Sequence, residues 1–255
     1  MHFIDTHAHI YDESILPSIE EVFAAATLQG VDKILMPAID SSVIADMMYL
    51  EQTYPAKCAA MMGLHPCYVK ENYKAELEVV EDWLSKRKFI AIGEIGLDFY
   101  WDKTFTEQQH IAFETQMNWA LQYHTPIVIH TRNAMGETIE AVKPFAKKGL
   151  RGVFHCFSGS KESAEQIVQM GFYLGLGGVL TYKNAGVAEA VKDIPMEWLV
   201  LETDAPYLPP VPYRGKRNEP AFMIEVAKKL AEIKNIPLHE VAAVTTANAI
   251  QIFGL

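Results

Sequence analysis

The sequence predicts a single (β/α)8 barrel covering residues 1–255. Three observations carry that expectation. Short apolar, β-branched runs recur about every 20 to 35 residues, the spacing of a strand–helix unit. There are eight of them, each followed by sequence of helical character, with no long linker between. The turn after the first run is His7-Ala8-His9-Ile10-Tyr11. An open doubly wound sheet usually has a glycine-rich phosphate turn there, so that alternative fits poorly.

The elements follow in order. Phe3 to Thr6 is the first strand. Pro17 to Gly30 carries Ile19, Val22, Phe23 and Ala26 at helical spacing, with Gly30 placed as a C-cap. Lys33 to Met36, Ala59 to Leu64 and Ile90 to Gly93 are the second, third and fourth strands. Thr106 to Tyr123 shows another helical stripe in Ile111, Phe113, Met117 and Leu121. Ile127 to Ile129 and Gly152 to Phe154 are the fifth and sixth strands. Ser158 to Met170 reads as an N-capped helix ending before Gly171. Phe172 to Leu176 and Trp198 to Glu202 complete the strands, and helices over Pro220 to Ile233 and Leu238 to Phe253 end the chain.

Half of the 255 residues are hydrophobic, enough for a large core, and no segment is compositionally biased. The formal charge of −10 gives no global footprint for wrapping duplex nucleic acid. Three cysteines, odd in number and without a CxxC, read as reduced thiols and place the protein in the cytoplasm. The N-terminus has no signal-peptide pattern, and no apolar run is long enough for a membrane span. A monomer is the default expectation.

In a barrel the active site forms at the C-terminal ends of the strands. His7 and His9 follow the first strand, Glu94 the fourth, His130 the fifth, His155 the sixth and Asp204 the eighth. Residues distant in sequence therefore converge on one mouth. Four imidazoles and two carboxylates suffice for two divalent metal ions, with Glu94 able to offer one oxygen to each. Such mixed ligation suits Zn, Mn, Fe, Co or Ni, and Mg in a more oxygen-rich site. Two cations would acidify a bridging water and clamp a phosphate or carbonyl oxygen, and Asp204 would take the water's proton. A lone His-x-His is a weak signal; the ordered set is a specific one.

These residues sit in Asp5-Thr6-His7-Ala8-His9, Gly63-Leu64-His65-Pro66, Ile92-Gly93-Glu94-Ile95-Gly96-Leu97-Asp98, Ile129-His130-Thr131-Arg132, His155-Cys156-Phe157-Ser158-Gly159, Leu201-Glu202-Thr203-Asp204-Ala205-Pro206 and Arg214-Gly215-Lys216-Arg217-Asn218-Glu219-Pro220. In these motifs and their order the chain resembles the TatD-type metal-dependent deoxyribonucleases of the amidohydrolase-like barrel superfamily. The resemblance implies a barrel, a dinuclear metal centre with His7, His9, Glu94, His130, His155 and Asp204 as ligands, and hydrolysis of phosphodiesters, often at a 3′ DNA end. Asn133 departs from the aspartate usual in that family, which affects any charged partner of Arg132 but no proposed ligand.

Substrate-side candidates follow. His65 at the third strand end is either a donor to phosphate or a structural residue before Pro66. Arg132 is either a phosphate clamp or a rim ion-pair partner. Glu202, two residues before Asp204, is expected to face the same way. Arg214, Lys216 and Arg217 form the clearest basic spot on an acidic chain. Phe99-Tyr100-Trp101 either stacks on bases or packs against a neighbouring loop. The leading expectation is therefore a nuclease acting on single-stranded DNA or RNA ends, or on a small phosphoester. The alternatives are an amide, lactone or phosphotriester hydrolase on the same barrel, and a non-catalytic metal-binding protein. Glu94, where many such relatives use a modified lysine, and the basic spot favour the nuclease.

Overall fold

One parallel strand forms at each of the eight apolar runs in the computed structural model, which describes residues 1–255. They are β1 (Phe3–Asp5), β2 (Val31–Met36), β3 (Cys58–Ala60), β4 (Ile92–Asp98), β5 (Ile127–Arg132), β6 (Gly152–Phe154), β7 (Tyr173–Leu176) and β8 (Leu199–Leu201). β1 to β3 make one sheet and β4 to β8 another, each in sequence order. Isolated bonds join the two. Met62 bridges Ile92 between β3 and β4, and the Thr6 amide donates to the Leu201 carbonyl at 3.1 Å between β1 and β8. The strands thus follow one another around a (β/α)8 barrel.

Nine helices cover the strands: α1 (Ile19–Leu28), α2 (Ile44–Thr53), α3 (Tyr73–Lys86), α4 (Thr106–Gln122), α5 (Met135–Ala146), α6 (Lys161–Gln169), α7 (Val187–Val191), α8 (Met223–Lys234) and α9 (Leu238–Phe253). α1 stops where Gly30 takes a left-handed φ of 80°, as its C-cap reading requires. The cap of α6 is Ser160 rather than Ser158: its hydroxyl accepts from the Ser163 amide at 3.3 Å.

Alternation along the strands divides the core. Leu35, Ala59, Val128, Val153, Tyr173 and Val200 form an inner cluster with Ala249 and Phe253 of α9. Ile34, Ala60, Ile92, Ile127, Phe154, Leu174 and Leu199 belong instead to the larger cluster that includes the buried helix faces. Helix α9 is pinned to one end of the barrel: Asn248 Nδ2 donates to the Met196 and Leu199 carbonyls, both at 2.8 Å, and Thr246 Oγ1 to the His2 carbonyl. Those are the N-terminal ends of β1 and β8, so α9 floors the barrel and leaves the C-terminal mouth for chemistry.

Three strand ends differ from the sequence reading. β3 stops at Ala60, well before Leu64, so His65 lies on the segment beyond it. β4 continues to Asp98, so Glu94 lies inside it, and β5 continues to Arg132, so His130 lies inside it as well. A charged residue ends an apolar run on paper. Here its polar atoms find partners within the barrel, and the strand runs on. The register of β4 shifts between Ile92 and Ile95. Glu94 N there donates to Ala38 on the β2 side at 2.9 Å, while Gly96 pairs with His130. Gly96, at a φ of 147°, lies so close to the His130 carbonyl that any side chain would collide with it.

Candidate metal centre

β1 ends at Asp5, yet the chain stays clamped between its neighbours beyond that point. Ala8 N donates to Leu35 at 3.1 Å, His9 N to Ala205 at 2.7 Å and Asp204 N to His7 at 2.9 Å. Strand-like alternation therefore persists, and the Nε2 atoms of His7 and His9 meet 3.3 Å apart. Glu94 Oε2 lies 3.1 Å from His7 Nε2 and 3.6 Å from His9 Nε2. Asp204 Oδ1 lies 3.7 and 3.5 Å from the same two nitrogens. These spacings bracket the separation of about 3.4 Å that tetrahedral ligation with bonds near 2.1 Å gives.

The other Glu94 oxygen serves a second group. Oε1 is 2.8 Å from His130 Nδ1 and 2.8 Å from His155 Nε2. His65 Nε2 approaches it at 3.2 Å. All six sequence-predicted ligands therefore converge, and Glu94 faces a trio on one side and a pair on the other.

Tautomers distinguish acceptors from donors. The Tyr11 hydroxyl donates to the Pro37 carbonyl at 2.7 Å, so its oxygen accepts from His9 Nδ1–H, also at 2.7 Å. His9 Nε2 then carries a lone pair toward the centre. Asp98 Oδ2 accepts from His130 Nε2–H at 2.9 Å, turning the His130 Nδ1 lone pair toward Glu94. A ring nitrogen this close to a carboxylate needs a cation between them, a proton or a metal ion in its place. The His7 ring leaves its buried Nδ1 without a partner and aims Nε2 at the cluster. The donor set thus fits two divalent ions. His65 differs: its Nδ1 accepts from Cys67 N at 3.0 Å, which puts the proton on Nε2 and makes His65 a donor into the mouth.

The charges follow from burial and proximity. Burial pushes the Glu94 carboxyl up, but His155, His65 and His7 outweigh it and hold it well below the usual range. Burial pushes the Asp204 carboxyl up as well, but the neighbouring His9, His155 and His7 outweigh it and hold it below the usual range. Burial lowers His65 to about 4, so it is neutral near pH 7. His130 and His155 are raised despite burial, the first chiefly by Asp98 and Glu94, the second by Glu94 and Glu202. Asp204 also takes a left-handed φ of 58°, uncommon for a side chain other than glycine and frequent at functional positions.

That left-handed turn corrects the reading of Glu202. Alternation breaks at Asp204, and Glu202 points away from the mouth, 0% exposed, behind His155. Its Oε1 accepts from Cys156 N and lies 3.5 Å from His155 Nδ1. A side chain at Gly175 would occupy the space its carboxylate fills. Contact with substrate is closed to Glu202; it braces His155.

The remaining candidates lie on the rim. Arg132 is exposed, its guanidinium 3.9 Å from the Tyr100 ring centre and 5.2 Å from that of Trp101. Arg214 is exposed and stacks on Tyr182 at 4.0 Å, and Lys216 lies over Tyr213. Arg217 is tied to the Ser14 carbonyl and to Glu219, so the basic spot reduces to two free cations. Cys67 lies within ligand distance of His65 and His130.

Sequence reasoning missed the supports. Asp98 stands four residues after Glu94, on the same strand face, and that spacing was the available signal. Gln109 and Gln116, on the buried face of α4, bind the backbone of Asp98 and Leu64 through both amide atoms. Asp5 accepts from the amide and hydroxyl of Thr203 and so joins the ends of β1 and β8.

A family model described as TatD related DNase matches residues 4–254. The chain belongs to this family. Among members of known sequence, a protein of Bacillus subtilis (strain 168) named uncharacterized metal-dependent hydrolase YabD is 38% identical over 252 residues, covering 98% of each chain. The TatD homologue YjjV of Escherichia coli K12 has a solved structure that superposes with a TM-score of 0.94 at 31% identity, covering 99% of this chain and 98% of that one. The Escherichia coli phosphotriesterase homology protein, solved with phosphate in its active site, superposes at 0.74 and 14% identity, which extends the shared fold beyond the TatD family. TatD relatives carry the name metal-dependent hydrolase.

Proposed function

We propose that this TatD protein is a metal-dependent phosphodiesterase that removes nucleotides from the 3′ end of single-stranded DNA, or of RNA. One observation carries the reading: Glu94 presents one carboxylate oxygen to His7 and His9, which Asp204 also approaches, and the other to His130 and His155. When bound, two divalent cations supply Lewis-acid charge to a phosphate oxygen and to the attacking water. Mn, Zn, Co and Ni suit this imidazole-rich donor set, and Mg would need added oxygen ligands such as water.

The protein's own groups do the rest. Asp204 is ionised at neutral pH and accepts the proton of the attacking water. Neutral His65 donates its Nε2–H to a phosphate oxygen. The Arg132 face is stacked, but its edge N–H groups remain available to phosphate. Arg214 and Lys216 hold the strand backbone beyond the mouth. A cation-rich rim on a protein of charge −10 suits a strand end entering a pocket better than a wrapped duplex.

The test is hydrolysis of a single-stranded DNA oligomer labelled at its 3′ end, with Mg, Mn or Zn and with chelator, beside a lactone and a phosphotriester. Metal-dependent release of labelled mononucleotide supports the proposal. Turnover of the lactone or triester with intact DNA moves the protein to small-molecule hydrolysis.

A further inference from the structure

Resting on the nucleic-acid reading, we infer that Tyr100, Trp101 and Arg132 form a stacking subsite for one unpaired nucleobase next to the scissile phosphate. The geometry begins with Asp98, whose two oxygens face different ways. Oδ2 holds His130 Nε2 at 2.9 Å. Oδ1 accepts from Tyr100 N at 2.9 Å and Trp101 N at 3.1 Å. One carboxylate thus orients a candidate metal ligand and shapes the turn that displays both aromatic rings.

Strand pairing brings the arginine to them. Asp98 is in register with Arg132, and Phe99 N donates to the Arg132 carbonyl at 2.9 Å. Arg132 stands two residues beyond His130 on β5, on the same strand face and about 7 Å further along. The platform therefore adjoins the metal centre along β5, where a base next to a phosphate held there can reach it.

The rings are not packed away. Tyr100 is 51% and Trp101 68% exposed, and of the four tryptophans only Trp101 is exposed. They stand edge to face, 4.9 Å between centres, with the guanidinium against Tyr100. Large exposed rings with an adjacent cation are the equipment for stacking any base, whatever its sequence. A paired base keeps its faces inside the duplex, so this subsite also selects single strands.

Trp101 supplies its own probe. Its emission is followed while a nuclease-resistant phosphorothioate oligonucleotide is titrated into the metal-loaded protein. KM and kcat are then compared for Trp101→Phe and Trp101→Leu on the ordinary oligonucleotide. The expected result is quenching on binding, a KM raised about tenfold in Trp101→Leu, and a KM near wild type in Trp101→Phe, as the loss of one base stack implies. Unchanged emission on binding, or equal KM values for the two variants, overturns the subsite. No binding of the oligonucleotide overturns both the subsite and the nuclease reading. Quenching without any cleavage keeps the subsite and removes the nuclease reading. Trp101 is exposed enough that either variant folds.

Discussion

Replacing Asp98 by asparagine should weaken one of the two proposed metal sites and spare the other. The carboxylate serves three N–H donors: His130 Nε2 on Oδ2, and the Tyr100 and Trp101 amides on Oδ1. An asparagine has one acceptor oxygen and one amino group. If the oxygen keeps the two backbone amides, the amino group faces His130 Nε2–H, donor against donor. If the oxygen turns to His130, the backbone amides lose their acceptor. Either way His130 loses a charge-assisted partner or the Tyr100 turn loosens. Partners of this kind are worth about 10- to 100-fold in metal affinity, or about 1.4 to 2.7 kcal/mol. The assay is calorimetric titration of chelator-stripped protein with Mn or Zn. Asp98→Asn should show one site of wild-type affinity, that of His7, His9 and Asp204, and one weakened by that factor. Two sites of wild-type affinity would refute the claim that Asp98 positions His130.

Other consequences can be tested alongside. Asp204→Asn should abolish turnover while leaving single-stranded DNA binding nearly intact by fluorescence anisotropy; wild-type rates would remove Asp204 as the proton acceptor. Arg214→Ala with Lys216→Ala should weaken oligonucleotide binding and flatten its salt dependence. Arg217→Ala should add little to that change, because Arg217 is committed to Ser14 and Glu219. Because His130 and His155 are raised above the ordinary imidazole value, metal loading must displace their protons. Apparent metal affinity should then climb with pH and keep climbing past the point where an ordinary imidazole has lost its proton, levelling only above the raised values, and calorimetry in two buffers of different ionisation enthalpy should register proton release. Burial pushes the Cys58 and Cys67 thiols up to about 12 and holds Cys156 well above the usual thiol value. All three should react far more slowly with a disulfide reagent at pH 8 in the native protein than in the unfolded chain, and equal rates would contradict that burial.

The strands were legible because each is a short apolar run with a turn or a helix on either side. All eight form near where the sequence places them. The candidate ligand cluster was legible because barrel topology turns strand ends into one place. What was hidden has a common cause. Polar residues inside β4 and β5 end a run on paper, while the partners that let them stay buried lie far along the chain. Glu94 finds His130 and His155, and Asp98 finds His130 and Gln109. Glu202 was misread because two-residue alternation assumes an extended backbone, and Asp204 is left-handed. The supports at Tyr11, Gln109 and Gln116 are ordinary residues on strand-end and helix faces until the fold sets them against His9, Asp98 and Leu64.

The claim on which the account turns is that Glu94 bridges two ions. Anomalous diffraction from crystals grown with Mn tests it most directly. Two peaks are expected, one on each side of the Glu94 carboxylate and about 3.5–4 Å apart, as in two-metal sites, the first beside His7, His9 and Asp204 and the second beside His130 and His155. A single peak at full loading, or a pair that leaves Glu94 uncoordinated, would contradict it.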